Sequence, residues 1–359
     1  MRVLLLSDIN SAHTVKWASG LVSIGMEVKV ISIAKPIGSE NNFHFEYDTL
    51  GLNHSITRKN SSLQKLKYLS FYFLLRKHIK HFQPDIVHAH YASSYGFLSL
   101  ISLYRPYFLS VWGSDIMEFP KRSIIHKIFL QQILKNAKVI FSTSHFMADI
   151  IEKSYNLKAS VIPFGIDTEV FTPCKRTTDK LVIGSIKGLE EIYGLTTFFK
   201  AFALIQNELT IPIEIQIYGS GSQLNQYQNL CEELKIDKYV KFNGRIDFSK
   251  VPVTMASFDL LINLSKRESF GVSVLEASSC GIPILLSDIS GLKEVYINGK
   301  TAISCQVDNV FDTAEKLKKL INNDALRYEM GCAGRKFVQE SYEWIDCLKS
   351  LQLAYKDNT

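Results

Sequence analysis

Two carboxylates open the chemistry of this chain. In Ser265-Lys-Arg-Glu-Ser-Phe-Gly-Val-Ser-Val-Leu-Glu276, seven residues separate Glu268 from Glu276. The apolar run Leu260–Leu264 before them has strand character, and a helical pattern opens near Gly271. Glu268 therefore falls on the intervening loop and Glu276 inside the helix. Both side chains can approach one ligand at the carboxyl end of that strand. Gly271 permits a close backbone approach, and the free N–H groups of a helix start favour a phosphate. A carboxylate such as Glu276 can accept two hydrogen bonds from a ribose diol. Two glutamates at this spacing are also what a solvated surface carries; the strand–loop–helix placement singles this pair out.

Such a site needs a parallel sheet behind it, and the chain alternates accordingly. In the first half Val3–Ser7, Glu27–Ile33, Asp85–His88, Tyr107–Trp112, Lys138–Thr143 and Ser160–Pro163 read as strands. Thr14–Ile24, Gln64–His81, Ile124–Asn136 and Phe146–Tyr155 carry helical spacing of apolar residues between them. The same grammar restarts with strands at Leu181–Ile186, Ile213–Tyr218, Val240–Phe242, Leu260–Leu264 and Pro283–Ser287. Its helices are Leu195–Asn207, Gln223–Leu234, Val272–Cys280 and Val310–Asn322. Strands separated by helices predict right-handed βαβ units and sheets buried on both faces. The polar stretch from Phe171 to Lys180, with Pro173, is the expected linker between two doubly wound domains facing across a cleft. A last amphipathic stretch, Tyr342–Tyr355, follows a complete second domain and must cover something.

Composition bounds the rest. A length of 359 residues suits two domains at roughly 100–200 residues each. Hydrophobic residues at 46% and charged ones at 21% exclude disorder and fibrous repeats. Cys174, Cys231, Cys280, Cys305, Cys332 and Cys347 show no metal spacing and read as small buried apolar residues of a reducing compartment. No uncharged apolar run reaches the roughly 18 residues of a membrane span. Met1–Asn10 is apolar only over Val3–Leu6, which reads as a first strand, so the expected setting is the cytoplasm.

The net charge of +6 is unevenly spread. Residues 1–173 carry 19 basic and 12 acidic side chains, residues 174–359 carry 22 and 23. From Thr49 to Ser114 the only acid is Asp85. Within that stretch Arg58, Lys59, Lys65, Lys67, Arg76, Lys77 and Lys80 punctuate a run of Leu, Phe and Tyr. Basic residues among aromatics and leucines suit an interfacial helix on an anionic bilayer, and Lys65, Lys67, Arg76 and Lys77 are its expected docking contacts. A core-facing helix with a solvated basic edge produces the same pattern. No nucleic-acid module is recognisable, so no nucleic-acid partner is expected.

Seven segments, in order, resemble the family 4 retaining glycosyltransferases. The Glu268–Glu276 stretch is similar to the family's E-x7-E region, flanked by Asp259-Leu-Leu-Ile-Asn-Leu-Ser265 and by Ala277-Ser-Ser-Cys-Gly-Ile-Pro-Ile284. Gly291-Leu-Lys-Glu-Val295 resembles its GG-x-x-E helix start, with Ser290 in place of the first glycine. Ile162-Pro-Phe-Gly-Ile-Asp-Thr-Glu-Val-Phe-Thr-Pro173 is similar to its domain junction, and Tyr218-Gly-Ser-Gly221 to the glycine turn beside the donor. Pro84-Asp-Ile-Val-His-Ala-His90, Trp112-Gly-Ser-Asp115 and Ser142-Thr-Ser144 fall in the family's order.

The resemblance implies the GT-B fold: two Rossmann-like domains, with a last helix crossing back to the first. It implies that Glu276 holds a ribose, that Glu268 meets hydroxyls of the transferred sugar, and that the backbone of Phe270, Gly271 and Val272 holds diphosphate or sugar oxygens. Gly219 would lie in the donor turn. Ser185 stands where relatives commonly have Arg, and Ile192 or Tyr193 near their Lys. Lys187 is then the cation left for the leaving diphosphate, with Lys266 and Arg267 as alternatives and Arg245 as a further donor contact. No D-x-D occurs, in keeping with metal-independent chemistry; no cofactor is expected, the nucleotide-sugar being a substrate. In the first half the resemblance loosens. His13 follows the first strand and is either an acceptor-side catalytic contact or a packing residue. Trp112 replaces a common His and offers a stacking face. Asp115 binds acceptor hydroxyls or leads a turn. His90 is the candidate nearer the loop, and His88 a core residue.

The reading is a retaining hexosyltransferase with an acceptor- and membrane-facing domain over 1–170 plus 341–359 and a donor domain over 171–340. Its expected partners are a nucleotide-sugar, a lipid-linked oligosaccharide and an anionic membrane, on the inner face of the cytoplasmic membrane. The resemblance extends to enzymes of bacterial surface polysaccharide assembly, O-antigen or capsule. A nucleotide-sugar 2-epimerase and a non-catalytic nucleotide-sugar-binding subunit are the alternatives.

Overall fold

The computed structural model describes residues 1–37, 43–52, 67–174 and 179–358, with backbone alone at 51–52 and 67–70. The chain forms two compact units, Met1–Phe164 with Asp346–Thr359, and Gly165–Ile345.

In the first unit β1 (Arg2–Leu6), β2 (Glu27–Ala34), β3 (Glu46–Leu52), β4 (Ile86–His90), β5 (Tyr107–Val111), β6 (Val139–Ser142) and β7 (Ser160–Val161) form one sheet. Its order is β3-β2-β1-β4-β5-β6-β7, and every pairing is parallel. The helices are α1 (Ala12–Ser23), α2 (Lys67–Phe82), α3 (Phe97–Ser102), α4 (Ile124–Asn136) and α5 (His145–Tyr155). Helices on both faces explain why β1 and β4 are buried almost throughout. Ser123 and Ser144 cap α4 and α5 by accepting from the amides of His126 and Met147.

The second unit repeats the plan. β8 (Leu181–Ile186), β9 (Ile213–Tyr218), β10 (Val240–Gly244), β11 (Leu260–Asn263), β12 (Ile284–Ser287) and β13 (Ile303–Cys305) run parallel in the order β10-β9-β8-β11-β12-β13. Around them lie α6 (Leu195–Ile205), α7 (Leu224–Glu233), α8 (Val251–Ala256), α9 (Val272–Ser279), α10 (Val310–Ile321) and α11 (Asp324–Ser341). α12 (Trp344–Asn358) ends the chain. Phe198, Phe199 and Phe202 on α6 fill the core against Ile183, Ile215 and Leu260.

Five elements escape the sequence pattern, among them the six-residue helices α3 and α8. β3 is an edge strand held by register and by the ion pair of buried Lys29 with Glu46 at 2.7 Å. β13 has only three residues, too few for a period. α11 begins on Asn323, whose side chain accepts from the Leu326 amide at 2.9 Å, a start signal readable in Asn322-Asn323-Asp324. The proposed linker also needs correction. Phe171 is buried, its carbonyl accepts from Ser279 Oγ at 2.6 Å and Arg335 at 3.1 Å, and Thr168 Oγ1 donates to Glu343 at 2.7 Å. These bonds tie 168–171 into the second unit and move the junction back to Phe164 and Gly165.

Candidate active site

Each sheet has one point where the strand order reverses, and at such a point loops diverge and leave room for a ligand. In the second unit it lies where β8 and β11 adjoin. Lys187 leaves the end of β8 and Glu268 follows β11, and the two meet there as a hydrogen-bonded ion pair. Their side chains are 17% and 15% exposed, so the pair is shielded yet reachable. Ser265 Oγ, fully buried, lies 2.8 Å from Asn263 Oδ1 and 3.0 Å from Glu268 Oε1, sharing one proton between two acceptors. The Tyr193 ring sits 5.4 Å from the Lys187 ammonium.

Glycines on other elements press against both partners. A Cβ on Gly219, at φ 147°, would stand 1.8 Å from the Lys187 carbonyl oxygen; a Cβ on Gly291 would stand 1.8 Å from that of Glu268. The backbone behind the pair is therefore clamped from both sides. Gly291→Ala is expected to cost about 1–3 kcal/mol by overpacking, read as a lower denaturant midpoint; an unchanged midpoint would show that the turn relaxes. Gly271 has φ 88°, and its Cβ would meet Leu292 at 2.4 Å, so the sharp entry into α9 also requires glycine.

The first unit's reversal lies where β1 and β4 adjoin. Here His13, His90, Trp112 and Phe164 form an aromatic group. Between ring centroids His13 stacks on Phe164 at 3.9 Å and meets Trp112 edge-on at 5.9 Å, and His90 lies 4.9 Å from Trp112. His90 Nδ1 is 3.2 Å from Ser7 Oγ, which bonds Thr14 Oγ1 at 2.6 Å. Beneath them His88 Nδ1 bonds the Tyr355 hydroxyl of α12 at 2.5 Å, and its Nε2 bonds Ser110 Oγ at 2.9 Å. Burial holds the imidazoles neutral: His13 is lowered to about 4, with Lys16 adding to the effect, and His90 to about 3, with His13 adding. His88 lies well below its ordinary value, again through burial first and then His90. A neutral imidazole can orient a hydroxyl but carries no charge at neutral pH.

Two family models match this architecture: Glycosyl transferase 4-like over residues 2–144, and Glycosyl transferases group 1 over residues 168–337. The chain is a GT-B glycosyltransferase of the family 4 type. An uncharacterized glycosyltransferase of Methanocaldococcus jannaschii is 24% identical over 76% of this chain and 75% of its own length. Over seven further curated relatives the match spans 48% to 60% of their length. Among solved structures, sucrose-phosphate synthase from Thermosynechococcus elongatus superposes with a TM-score of 0.85 at 16% identity, covering 99% of this chain and 98% of that one. Anabaena HepE in complex with UDP and glucose gives 0.80 at 15%, covering 99% of each. At these identities the likeness is one of fold.

Within this glycosyltransferase the remaining candidates scatter. Glu276 lies half-buried in the second turn of α9, with Val272 opening that helix and Phe270 buried before it. Ser185 is buried inside β8, paired with Ile217, rather than beyond the strand. Arg245 is exposed after β10, two strands away from β8. Lys266 pairs with Asp308 at 2.9 Å and Glu191 at 3.4 Å, and the Asp308 bond first of all raises its ammonium above the ordinary value. Asp115 is fully buried and accepts from the amides of Ala92 at 2.8 Å, Gly113 at 2.9 Å and Trp112 at 3.2 Å. That carboxylate pins the loops after β4 and β5; burial raises its pKa against these bonds. Cys174 and Cys332 are exposed, which corrects their reading as buried; the other four are buried.

Sequence reasoning passed over Ser265, Phe164 and Tyr91, and took Tyr355 only as one apolar position of the last amphipathic stretch. Tyr91 directly follows β4 at φ 76°, a strained conformation for a non-glycine residue, with its hydroxyl 2.5 Å from Ser114 Oγ. Only Phe164 and Ser265 lay inside quoted motifs. Of the basic segment, Lys65 falls outside the described residues, as do Arg58 and Lys59, and the Lys67 side chain is likewise not described. Arg76 and Lys77 are exposed on α2, with Arg76 bonded to Tyr72 at 2.9 Å. The apolar side of α2 packs inward through Phe71 and Leu75, leaving Phe73 outward.

Proposed function

We propose that this glycosyltransferase moves a hexosyl group, with retained anomeric configuration and without a metal, from a nucleotide-sugar to a hydroxyl of a lipid-linked oligosaccharide. Assembly of a bacterial surface polysaccharide, at the inner face of the cytoplasmic membrane, is the setting proposed. The observation that carries the reading is the Lys187–Glu268 pair at the reversal point of the second sheet. A partly shielded ammonium there supplies the charge a leaving diphosphate needs, and its carboxylate partner suits sugar hydroxyls. Glu276 would take the ribose diol and the start of α9 the diphosphate oxygens. The nucleotide diphosphate departs from the anomeric carbon through an oxocarbenium-like state. The acceptor hydroxyl attacks from the same face, and a phosphate oxygen takes its proton. The protein's part is positioning and charge stabilisation, so the two glutamates need not act as a hydrolase's acid and nucleophile.

On the first unit Trp112 offers a sugar-stacking face, and neutral His13 and His90 orient the acceptor. No helix among the described residues is long and apolar enough to cross a membrane; attachment at the surface is the form of membrane contact proposed. The test is a thermal-shift panel of UDP-, GDP- and ADP-sugars, in which one donor raises the transition by mass action. Glu276→Ala is expected to weaken that donor about tenfold, the equivalent of one ribose hydrogen-bond pair. A panel without any shift would overturn the donor assignment.

A further inference from the structure

The first unit exposes a second apolar surface that the basic segment did not announce. At the start of α4, Ile124, Ile125 and Ile128 are 68%, 73% and 51% exposed. At about 100° per residue they span one arc of the helix, opposite the arc of Leu130, Ile133 and Leu134 that enters the core. Three isoleucines facing solvent on one helix end are not explained by packing.

The stretch of chain that carries them has one sign of charge. Between Glu118 and Asp149 the chain has no acid, while Lys121, Arg122, Lys127, Lys135 and Lys138 lie in that interval. Lys121, Arg122 and Lys127, which flank the isoleucines, are exposed, and among the described residues Lys121 and Lys127 make no ion pair. α4 packs beside α3 and α3 beside α2, so exposed Phe73 with Arg76 and Lys77 belongs to the same helical layer. α4 follows β5 in a parallel sheet and runs back along it, so its first turn lies at the carboxyl ends of the strands. Trp112 and His90 stand at that same end.

We infer that Ile124, Ile125 and Ile128 form a wedge that enters the headgroup region of an anionic phospholipid bilayer, with Lys121, Arg122 and Lys127 as its phosphate-binding collar. The inference rests on the proposed membrane-presented acceptor and names the surface that meets the membrane. Apolar side chains supply burial into the acyl boundary and the collar supplies attraction to anionic lipid. A symmetric contact with a second copy would instead set two collars of like charge against each other.

Co-sedimentation with phosphatidylcholine vesicles, with and without phosphatidylglycerol, tests it on the full chain. The triple variant Ile124→Ser, Ile125→Ser, Ile128→Ser is expected to bind phosphatidylglycerol vesicles at least about tenfold more weakly at every salt concentration. Lys121→Gln with Arg122→Gln and Lys127→Gln should weaken binding and lower its salt dependence, Arg76 and Lys77 keeping the remainder. Unchanged vesicle binding by the Ser variant overturns the inference, and so does a wild-type dimer that the Ser variant converts to monomer in light scattering. All substituted positions are exposed, so the thermal transition should hold; if the triple variant loses it, Ile125→Ser alone gives the reading. The nucleotide-sugar shift, measured without vesicles, should be the same in wild type and both variants. Its absence in all three would count against the donor assignment, while the vesicle result judges the wedge separately.

Discussion

Replacing Lys187 with Met is expected to lower kcat/KM by about 10²–10³, the loss typical of one charge contact to a developing anion. The pairing with Glu268 makes the test demanding, because the substitution also strands a carboxylate that is only 15% exposed. A purely structural role predicts that Glu268→Gln, by removing the stranded charge, restores activity to the Lys187→Met background. A role at the leaving group predicts that the double variant stays as slow as the worse single one. A double-mutant cycle in both turnover and denaturant midpoint separates the two outcomes. Lys187→Arg should recover part of the rate, since it keeps the charge but not the point geometry of an ammonium. Full activity in Lys187→Met removes the residue from the site.

Acid should unfold the protein early, and for a reason confined to the first unit. In the native state His13, His88 and His90 stay neutral, with His13 held to about 4 and His90 to about 3. In the unfolded chain each titrates near about 6.5. The folded values are depressed for a base, so the unfolded state binds more protons once the pH drops below about 6.5. Stability is therefore full above that point and falls as pH declines toward the folded values. Three imidazoles give a slope approaching about 4 kcal/mol per pH unit through the middle of the window. Asp115 opposes this with at most one proton, because its folded value is raised. Denaturant midpoints from pH 7 to pH 4.5 measure the slope, and His90→Gln should reduce it by about a third. A flat profile across that range would mean that the imidazoles already carry protons in the folded protein.

The second unit was more legible than the first. Its first five strands are runs bounded by polar loops that the alternation located, while β13 and the strand order, hence the reversal at β8 and β11, came only with the fold. The E-x7-E stretch then put Glu268 and Glu276 on adjacent pieces of one loop and helix. What the one-dimensional pattern does not carry is tertiary. Gly291 lies far along the chain from Glu268, and nothing local says that their backbones touch. In the first unit Asp115 looks like an accessible acid, yet three amides occupy its oxygens. Helix periodicity found α4 correctly but treats every apolar position alike. Which isoleucines face outward depends on what packs over the helix's first turn, and that is a property of the fold.

The bond between His88 and Tyr355 has a consequence for the order in which the molecule is made. The first unit contains the chain's earliest residues and also its last described helix, whose Tyr355 is fully buried against Phe108. Residues 165–345 hold all the strands of the other unit. On the ribosome the later-emerging unit is thus the first to have its whole sequence available. The Tyr355 hydroxyl can reach His88 only once α12 has been made, so the fold of the first unit closes last. Synthesis runs from amino to carboxyl end, but completion of the two folds runs the other way.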